Sequence, residues 1–408
     1  MLPSPADYYR AFTANTGEVT LYGEVATPRA LVLDMLASLP STVWSNQALK
    51  WYEPACGLAP FLYEVYVKLM TTLVAVLPDN SKRSQHIVEN MLIFNELQEK
   101  NLHLLKQLFR GDIYHLNLFA GDCLTSQVKA DIIICNPPYN KIGSKNSGNA
   151  EWMRFSRHLV THTTGYLLLV HPAGWRKPES EKAKNKGLFA LLAHSNQLLV
   201  LEMYDAAAGK QTFGCGTNYD WYLLEKKACY TPTLVRDTKG GYSTLDLRQW
   251  QWLPNFAFDR IRPLLSDTGT EICCEVLYSR SAYASDKEWV RTCQDDTYKY
   301  PVVKTTPRTG TRYLYSRVAD RGFYGISKVI FGDSNFDTPV IDMEGVYAMG
   351  ENAMALVVTT RKDAEGVVTA LQSKALRELL RSACLWGNFR LDWRVFTYLK
   401  RGFWRVFL

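Results

Sequence analysis

The sequence predicts an α/β fold: a doubly wound, mostly parallel sheet of the Rossmann-like kind, followed by a C-terminal α+β region. Three observations predict it. Residues 24 to 230 alternate between apolar runs and amphipathic segments. Runs such as ADIIIC (130–135) and GYLLLVHP (165–172) are almost uninterrupted Ile, Leu and Val, the pattern of strands covered on both faces. Beyond that region the pattern changes to short aromatic and β-branched runs. Turns break it at Lys239-Gly240-Gly241, Asp267 to Gly269 and Gly332-Asp333, and a helical stretch runs from Ala364 to Cys384. Two domains are therefore expected, 1–235 and 236–408, with the boundary near 228 to 242.

The elements follow in order. Thr27-Pro28 precedes ALVLDMLASL; Thr can cap a helix and Pro suits its first position. ALKWYEP (48–54) reads as a strand whose end carries Glu53. PFLYEVYVKLMTTLVAVL (60–77) reads as an amphipathic helix up to Pro78. NMLIFNEL (90–97) is a short apolar run ending at Glu96, and LQEKNLHLLKQLF a second helix. LPDNSKRSQH (77–86) reads as a surface insertion. ADIIIC stops at Asn136-Pro137, GYLLLVHP stops at Pro172, and LLVLEMY and NYDWYLLEKK supply two more strands. Open parallel sheets bind ligands beyond the carboxyl ends of their strands. The residues of interest are thus Glu53, Glu96, Asp122 nearby, Asn136 and Pro172.

Composition narrows the classes. The chain has 408 residues, 47% hydrophobic and 21% charged, which excludes intrinsically disordered, collagen-like and coiled-coil chains. No apolar run reaches the length of a membrane span. MLPSPADYYR lacks a basic start followed by an apolar core, so no secretory leader is expected. The nine cysteines show no CxxC spacing, and only Cys273 and Cys274 are adjacent. That argues against zinc and a disulfide framework and for a reducing, cytoplasmic setting; no metal is expected. The net charge is +7. The stretch from Lys227 onward carries 26 basic and 20 acidic side chains, a balance of +6, so the excess lies in the C-terminal half.

Asn136-Pro137-Pro138-Tyr139 follows ADIIIC directly. The tetrapeptide suits methylation of a planar amine. Such a nitrogen is a poor nucleophile because its lone pair is delocalised into the ring. Two acceptors, the Asn136 side-chain oxygen and the Pro137 carbonyl, can hold its two hydrogens and draw it towards a tetrahedral shape. Two prolines stiffen that turn, and Tyr139 can stack on the ring. No strong base is required when the methyl donor is a sulfonium. The bland reading is a Pro-rich turn after a buried strand.

Over residues 17 to 227 the chain resembles class I S-adenosylmethionine-dependent methyltransferases of the amino-methylating group. More closely, it resembles the gamma class of DNA N6-adenine methyltransferases of restriction–modification systems. Beyond 227 the resemblance is only architectural: a C-terminal target-recognition domain following the catalytic one. Glu53-Pro54-Ala55-Cys56-Gly57-Leu58-Ala59-Pro60-Phe61 is similar to the family's first motif, with Ala59 where many members have a second glycine. The resemblance implies S-adenosylmethionine as cofactor. Glu53 would lie near its ammonium, and Ala55, Cys56 and Gly57 would let the backbone approach it. An acidic residue ending the second strand can accept ribose hydroxyls; Glu96 fits, with Glu89 a competing candidate. Asp122 is implied at the cofactor's adenine amine, with Asp112 a weaker rival. Thr27, in GEVATP, is implied at a helix start open to the cofactor's carboxylate. Phe213, before GCGTNYDWYLLEK, is implied to cover the far face of a flipped base opposite Tyr139; its simpler reading is a core residue. His171 is given no role.

A base inside a duplex cannot reach such a pocket and must be extruded, so a second element must grip double-stranded DNA. Residues 299 to 328 fit that need: Lys299, Lys304, Arg308, Arg312, Arg317, Arg321 and Lys328 recur among Tyr and Thr with one acidic residue, Asp320. Cations there would neutralise phosphates, and a few would read guanine edges. The bland reading is a solvated hairpin surface. The basic tail (Arg390, Arg394, Lys400, Arg401, Arg405) reads as a folded C-terminal element. The expected activity is site-specific DNA adenine N6-methylation by a monomer, with a separate restriction endonuclease as an implied partner and no membrane attachment. The alternatives are N4-cytosine, RNA-base or protein-glutamine methylation, or a DNA-binding module without catalysis. No paired acidic-lysine signature of a nuclease is present. The recognition sequence is not legible.

Overall fold

The structure, a computed structural model, describes residues 1–13, 27–140, 150–179, 183–267, 271–334, 336–386 and 390–408. It divides into two compact units, Met1–Arg176 with Glu181–Gln251, and Lys177–Ser180 with Trp252–Leu408.

The first unit is built on a nine-stranded sheet. Its strands are β1 (Trp51–Pro54), β2 (Leu92–Glu96), β3 (Asn117–Ala120), β4 (Ala130–Cys135), β5 (Thr163–Pro172), β6 (Gln197–Tyr204), β7 (Tyr219–Glu225), β8 (Thr233–Arg236) and β9 (Tyr242–Leu245). They lie in the order β3-β2-β1-β4-β5-β7-β6-β8-β9. β3 through β5 run parallel along that order, β7 is antiparallel to both neighbours, β8 is parallel to β6, and β9 turns back. β1 is the pivot: Trp51 pairs with Leu92 on one side and Ile132 on the other. Every residue of β1 and the last four of β4 are buried, as continuous apolar runs require. The fold is the α/β, mostly parallel sheet the sequence predicts.

Helices α1 (Pro5–Thr13), α2 (Arg29–Ala37), α3 (Pro60–Thr72), α4 (Asn80–His86), α5 (Glu99–Leu108), α6 (Glu151–His162), α7 (Leu188–Ala193) and α8 (Ala206–Phe213) accompany the sheet. α3 stops at Thr72 rather than reaching Pro78. Beyond it Val74 and Val76 are about half exposed, so no burial offsets the poor helix propensity of β-branched residues. Residues 77–86 are mostly exposed, as expected of a surface insertion, but residues 80–86 are helical: they form α4, which Asp79 caps by accepting from the Lys82 N–H at 2.8 Å. Its Ser84 is fully buried between the Tyr66 and Tyr114 hydroxyls, at 2.8 and 2.9 Å. β3 has no counterpart in the sequence reading; it is an edge strand whose residues are all at least partly exposed, so it carries no apolar pattern. The expected boundary at 235/236 falls inside β8. The first sheet continues through the β8–β9 hairpin, and the division lies at 251/252.

A buried ion pair fixes the far end of β5. Arg176, just beyond it, is fully buried with Asp220 of β7: Nε to Oδ2 is 2.6 Å and Nη2 to Oδ1 is 3.0 Å. Trp175 Nε1 donates to the same carboxylate at 2.8 Å. Burial raises the Asp220 pKa, against the pull of Arg176. Asp220 is followed in β7 by Trp221, Tyr222, Leu223 and Leu224, and its partner lies 44 residues away in the chain.

In the second unit, β10 (Val276–Leu277), β17 (Ala353–Val357), β14 (Lys328–Gly332) and β15 (Val340–Asp342) form one antiparallel sheet. β11 (Val290–Arg291), β13 (Arg312–Ser316), β12 (Tyr300–Thr305) and β16 (Ala348–Met349) form another, with β12 and β16 parallel. Helices α9 (Arg361–Gln372) and α10 (Lys374–Glu378) are among those that accompany these sheets. This is the α+β character expected of the C-terminal half. Among the described residues, no helix is long and apolar enough to cross a membrane.

Breaking one side of a buried ion pair strands the other charge and costs about 3–5 kcal/mol. Arg176→Met should lose that much in urea unfolding. Arg176→Met combined with Asp220→Leu should recover a large part of it. A loss below 1 kcal/mol in the single variant would mean that the pair does not hold the end of β5.

Candidate active site

The candidate side chains gather at the carboxyl ends of β1, β2, β3 and β4. The turn after β1 has three residues in the left-handed region: Ala55 (φ 54°), Gly57 (φ 56°) and Ala59 (φ 60°). Gly57 takes this conformation freely. For the two alanines it costs about 1–2 kcal/mol each. Packing and hydrogen bonds hold the turn in place. Ala59 is fully buried, the Cys56 N–H donates to Asn95 O at 2.9 Å, and the Gly57 N–H donates to Glu96 Oε2 at 2.7 Å. On the outer side, Tyr8 of α1 stacks on Tyr63 with ring centroids 3.7 Å apart, and its hydroxyl donates to Leu58 O at 2.5 Å. Ala in place of the family's second glycine is therefore accommodated.

Glu53 and Glu96 are both buried. The Glu53 carboxylate accepts the Leu62 N–H at 3.0 Å, so it meets the N-terminal end of α3, where peptide N–H groups and the helix dipole favour an anion. Burial nevertheless pushes its pKa well above the usual carboxylate range, and Glu96 adds to the shift. Glu96 Oε1 accepts the Gln98 N–H at 2.6 Å; with Gly57 on its other oxygen, its orientation is fixed. Asn95 extends the link: Tyr52 Oη donates to its Oδ1 at 3.1 Å, and its Nδ2 donates to Gly121 O at 2.6 Å. β1, β2 and β3 are tied together at one end.

Topology separates the rival acids. Glu89 lies before β2, at the opposite end from the turn, and accepts from the His115 N–H at 2.9 Å. Asp112 lies before β3 in an exposed ion pair with Arg110. Asp122 follows β3, at the same end of the sheet as the turn after β1. It is exposed, and its Oδ1 accepts the Leu124 N–H at 2.9 Å.

Asn136 opens the turn beyond β4. Its Nδ2 donates to Oγ1 of the buried Thr27 at 3.1 Å, which joins the start of α2 to the tetrapeptide. Residues 23 to 26 of GEVATP lie outside the described residues. Cys135 Sγ donates to Pro54 O at 2.9 Å, so β4 and β1 end side by side. Tyr139 O accepts the Glu151 N–H at 3.1 Å. Burial pushes the Tyr139 phenol pKa up, and its hydroxyl is buried with no hydrogen-bond partner among the described residues. Phe213, the last residue of α8, meets Tyr139 edge-on, with centroids 6.3 Å apart and planes at 81°. Two rings sandwiching a base lie parallel and about 7 Å apart. The two aromatics are thus brought together, but not in a sandwich. Tyr219 lies edge-on to Phe213 at 4.9 Å, and Tyr204 stacks on Tyr219 at 4.7 Å. Neither tyrosine was singled out from the sequence.

His171 is fully buried, in contact with the Tyr222 hydroxyl and Pro172 O at 3.0 Å each, and stacked on Trp152. Burial lowers its pKa to about 4, which leaves it neutral and structural.

Of the seven cations assigned to nucleic acid, Lys328 is a correction. It is fully buried in β14, its Nζ bonded to Asp342 at 2.7 Å and to the Phe323 and Ile326 carbonyls. A lysine opening a strand whose other residues are all apolar or glycine, KVIFG, reads as exposed until its partner strand is known. Arg317 pairs with Glu288, and Arg321 pairs with Asp320 and lies over the Trp289 ring. Lys299 precedes β12 and Lys304 lies within it, whereas the exposed Arg308 lies in the β12–β13 turn and the exposed Arg312 opens β13.

With that geometry in hand, comparisons with known proteins place the first unit. Residues 8–187 match the N-6 DNA Methylase family. Among curated proteins, none matches the sequence significantly. The Type IIL restriction–modification enzyme MmeI, solved in complex with DNA, is 10% identical with a TM-score of 0.51; the match covers 97% of this chain and 67% of that one. A type I restriction–modification methyltransferase subunit from Streptococcus thermophilus is 15% identical, with a TM-score of 0.42, over 59% of this chain and 53% of that one. The chain spans about half the length of other type I proteins it matches, 50% and 44%.

Between pH 6.5 and 4 the unfolded chain binds a proton on His171 that the folded chain does not. Acidification across that window should therefore destabilise the fold by about 3 kcal/mol in total. Thermal melts of wild type and His171→Gln should show the variant with the shallower pH slope there, and parallel slopes would contradict the assignment. Over residues 8–187 the chain is similar to the N-6 DNA Methylase family, and the first unit that holds them is an α/β fold built on a mostly parallel sheet.

Proposed function

We propose that the chain is a site-specific DNA adenine N6-methyltransferase that uses S-adenosylmethionine. The observation that carries this reading is the placement of Asn136-Pro137-Pro138-Tyr139. The tetrapeptide ends the strand beside β1, with Asn136 hydrogen-bonded to Thr27 and Phe213 against Tyr139. The family match over residues 8–187 supports the same chemistry.

The residues present fit the cofactor. Two buried carboxylates and a glycine turn are what an adenosyl group with an amino-acid tail calls for. Glu96 would take the ribose hydroxyls, Asp122 the adenine amine, and Glu53 the ammonium. Ala55, Cys56 and Gly57 would contact it through the backbone, and Thr27 and Asn136 would border its amino-acid end. When bound, the cofactor supplies an activated methyl group on a sulfonium centre.

The chain's own residues do the rest. The bond from Asn136 Nδ2 to Thr27 fixes the amide, so that its oxygen is the end available to accept from an exocyclic amine. The Pro137 carbonyl is the second acceptor, and Pro138 restrains it. Holding both amine hydrogens orients the nitrogen lone pair and raises its nucleophilicity, and the surplus proton leaves after the methyl is bonded. Tyr139 stacks on the flipped adenine. Phe213 takes the other face once its ring rotates out of the edge-on contact. The second unit would supply the grip on double-stranded DNA, with Lys299, Lys304, Arg308, Arg312, Arg317 and Arg321 as its cations.

Asn136→Ala should lower methyl transfer to duplex DNA by at least about a hundredfold, because one of two oriented acceptors is lost. Tyr139→Ala should do the same through loss of stacking. Duplex binding should change by less than about threefold in both. Nucleoside digestion and mass analysis of the product identify the acceptor: N6-methyladenine supports the reading, N4-methylcytosine reassigns the base, and full activity in both variants refutes the pocket.

A further inference from the structure

The seven cations between 299 and 328 are uniform in sequence but not in structure. Lys328 is buried, and Arg317 and Arg321 each have an acidic partner. Arg308 and Arg312 differ. Both are exposed, four residues apart across the β12–β13 turn, and no acidic side chain among the described residues pairs with them.

The base of that turn is rigid. Pro307 O accepts the Gly310 N–H at 3.0 Å, and Gly310 takes φ 107°, which a side chain would oppose. Thr306 O accepts the Asp337 and Thr338 N–H groups at 3.1 and 3.3 Å, and Thr306 Oγ1 accepts the Gly332 N–H at 2.8 Å. Thr338 Oγ1 donates to Pro307 O at 3.1 Å, and Thr311 Oγ1 donates to Thr338 O at 3.2 Å. Asp337 is itself gripped by Arg377 at 2.6 Å. Both sides of the hairpin are thus bolted to residues 336–338, with Arg308 exposed in the turn beyond them and Arg312 exposed where β13 begins, opposite Thr305.

We propose that this end of the hairpin is the sequence-reading element of the second unit. A two-stranded β-ribbon fits the major groove, and arginine makes its commonest specific contact there, two hydrogen bonds to the O6 and N7 of guanine. Leaving the two guanidiniums unpaired keeps their donors for the base edge, and the bolted turn limits the entropy lost on docking. Arg317 and Arg321, paired with acidic residues, serve the phosphate backbone. The assignment rests on the DNA-methylating function proposed above.

The test compares wild type with Arg308→Ala, Arg312→Ala and, as a control, Arg321→Ala. DNA from expressing cells is read by single-molecule sequencing, and the purified proteins are assayed on duplexes carrying the wild-type motif and its single-base variants. The Arg308 and Arg312 variants should each lose roughly ten- to hundredfold discrimination at a G·C position, with melting temperature and S-adenosylmethionine affinity unchanged. Arg321→Ala should weaken methylation evenly across sequences. An unchanged motif, with rates within twofold in both of these variants, would overturn the inference while leaving the function standing. No modified base with wild type would overturn both.

Discussion

β1 is hydrogen-bonded to β2 on one side and β4 on the other, and everything else at the candidate site depends on that pairing. From β1 the sheet grows outward through β2 and β3, and from β4 it grows the opposite way through β5. Where strand order reverses, connections leave to opposite sides and a crevice opens at the carboxyl ends. The turn after β1 and the tetrapeptide after β4 face that crevice because their strands are neighbours, with Cys135 bonded to Pro54. Eighty-two residues separate Asn136 from Pro54 in the chain; the sheet removes that separation.

Polar groups at the strand ends would be costly if left unpaired in a buried setting. Each is instead committed to backbone: Glu53 to α3, Glu96 to the residues on either side of it in space, and Asn95 to the end of β3. The same bonds maintain the left-handed alanines of the first turn. The arrangement is preorganised, since its groups are oriented before any ligand arrives, and that is the condition under which electrostatic stabilisation is most effective. Tyr139 and Phe213 are the exception, touching edge to face. On the proposed function, a base would replace that contact with its own stacking.

In the second unit, charge and pairing diverge. Its sequence reads as a basic stretch, yet one lysine is consumed in holding β14 to β15 and two arginines are partnered. Exposed ion pairs of this kind add little stability, but they decide which cations remain available. At the β12–β13 turn, the exposed cations without an ion pair among the described residues are Arg308 and Arg312.

Much was legible in the residues. The buried parallel strands, the two-part division and the acids and tetrapeptide at the strand ends follow from apolar runs and their terminating residues, because a strand covered on both faces admits almost nothing polar until it ends. Glu96 is favoured over Glu89 because it ends its apolar run. The preference for Asp122 over Asp112 comes from the family resemblance alone, because edge strand β3 between them shows no apolar pattern. Helix α1, edge strand β3, the β8–β9 hairpin and the Arg176–Asp220 pair were invisible for a related reason: their partners are distant in the chain or their residues too exposed to show a pattern. Local sequence determined which segments are strands and which chemistry they can carry. The tertiary structure decided which carboxylates are buried near one another and which lysine is buried, because hydrogen bonding and desolvation are properties of neighbours in space.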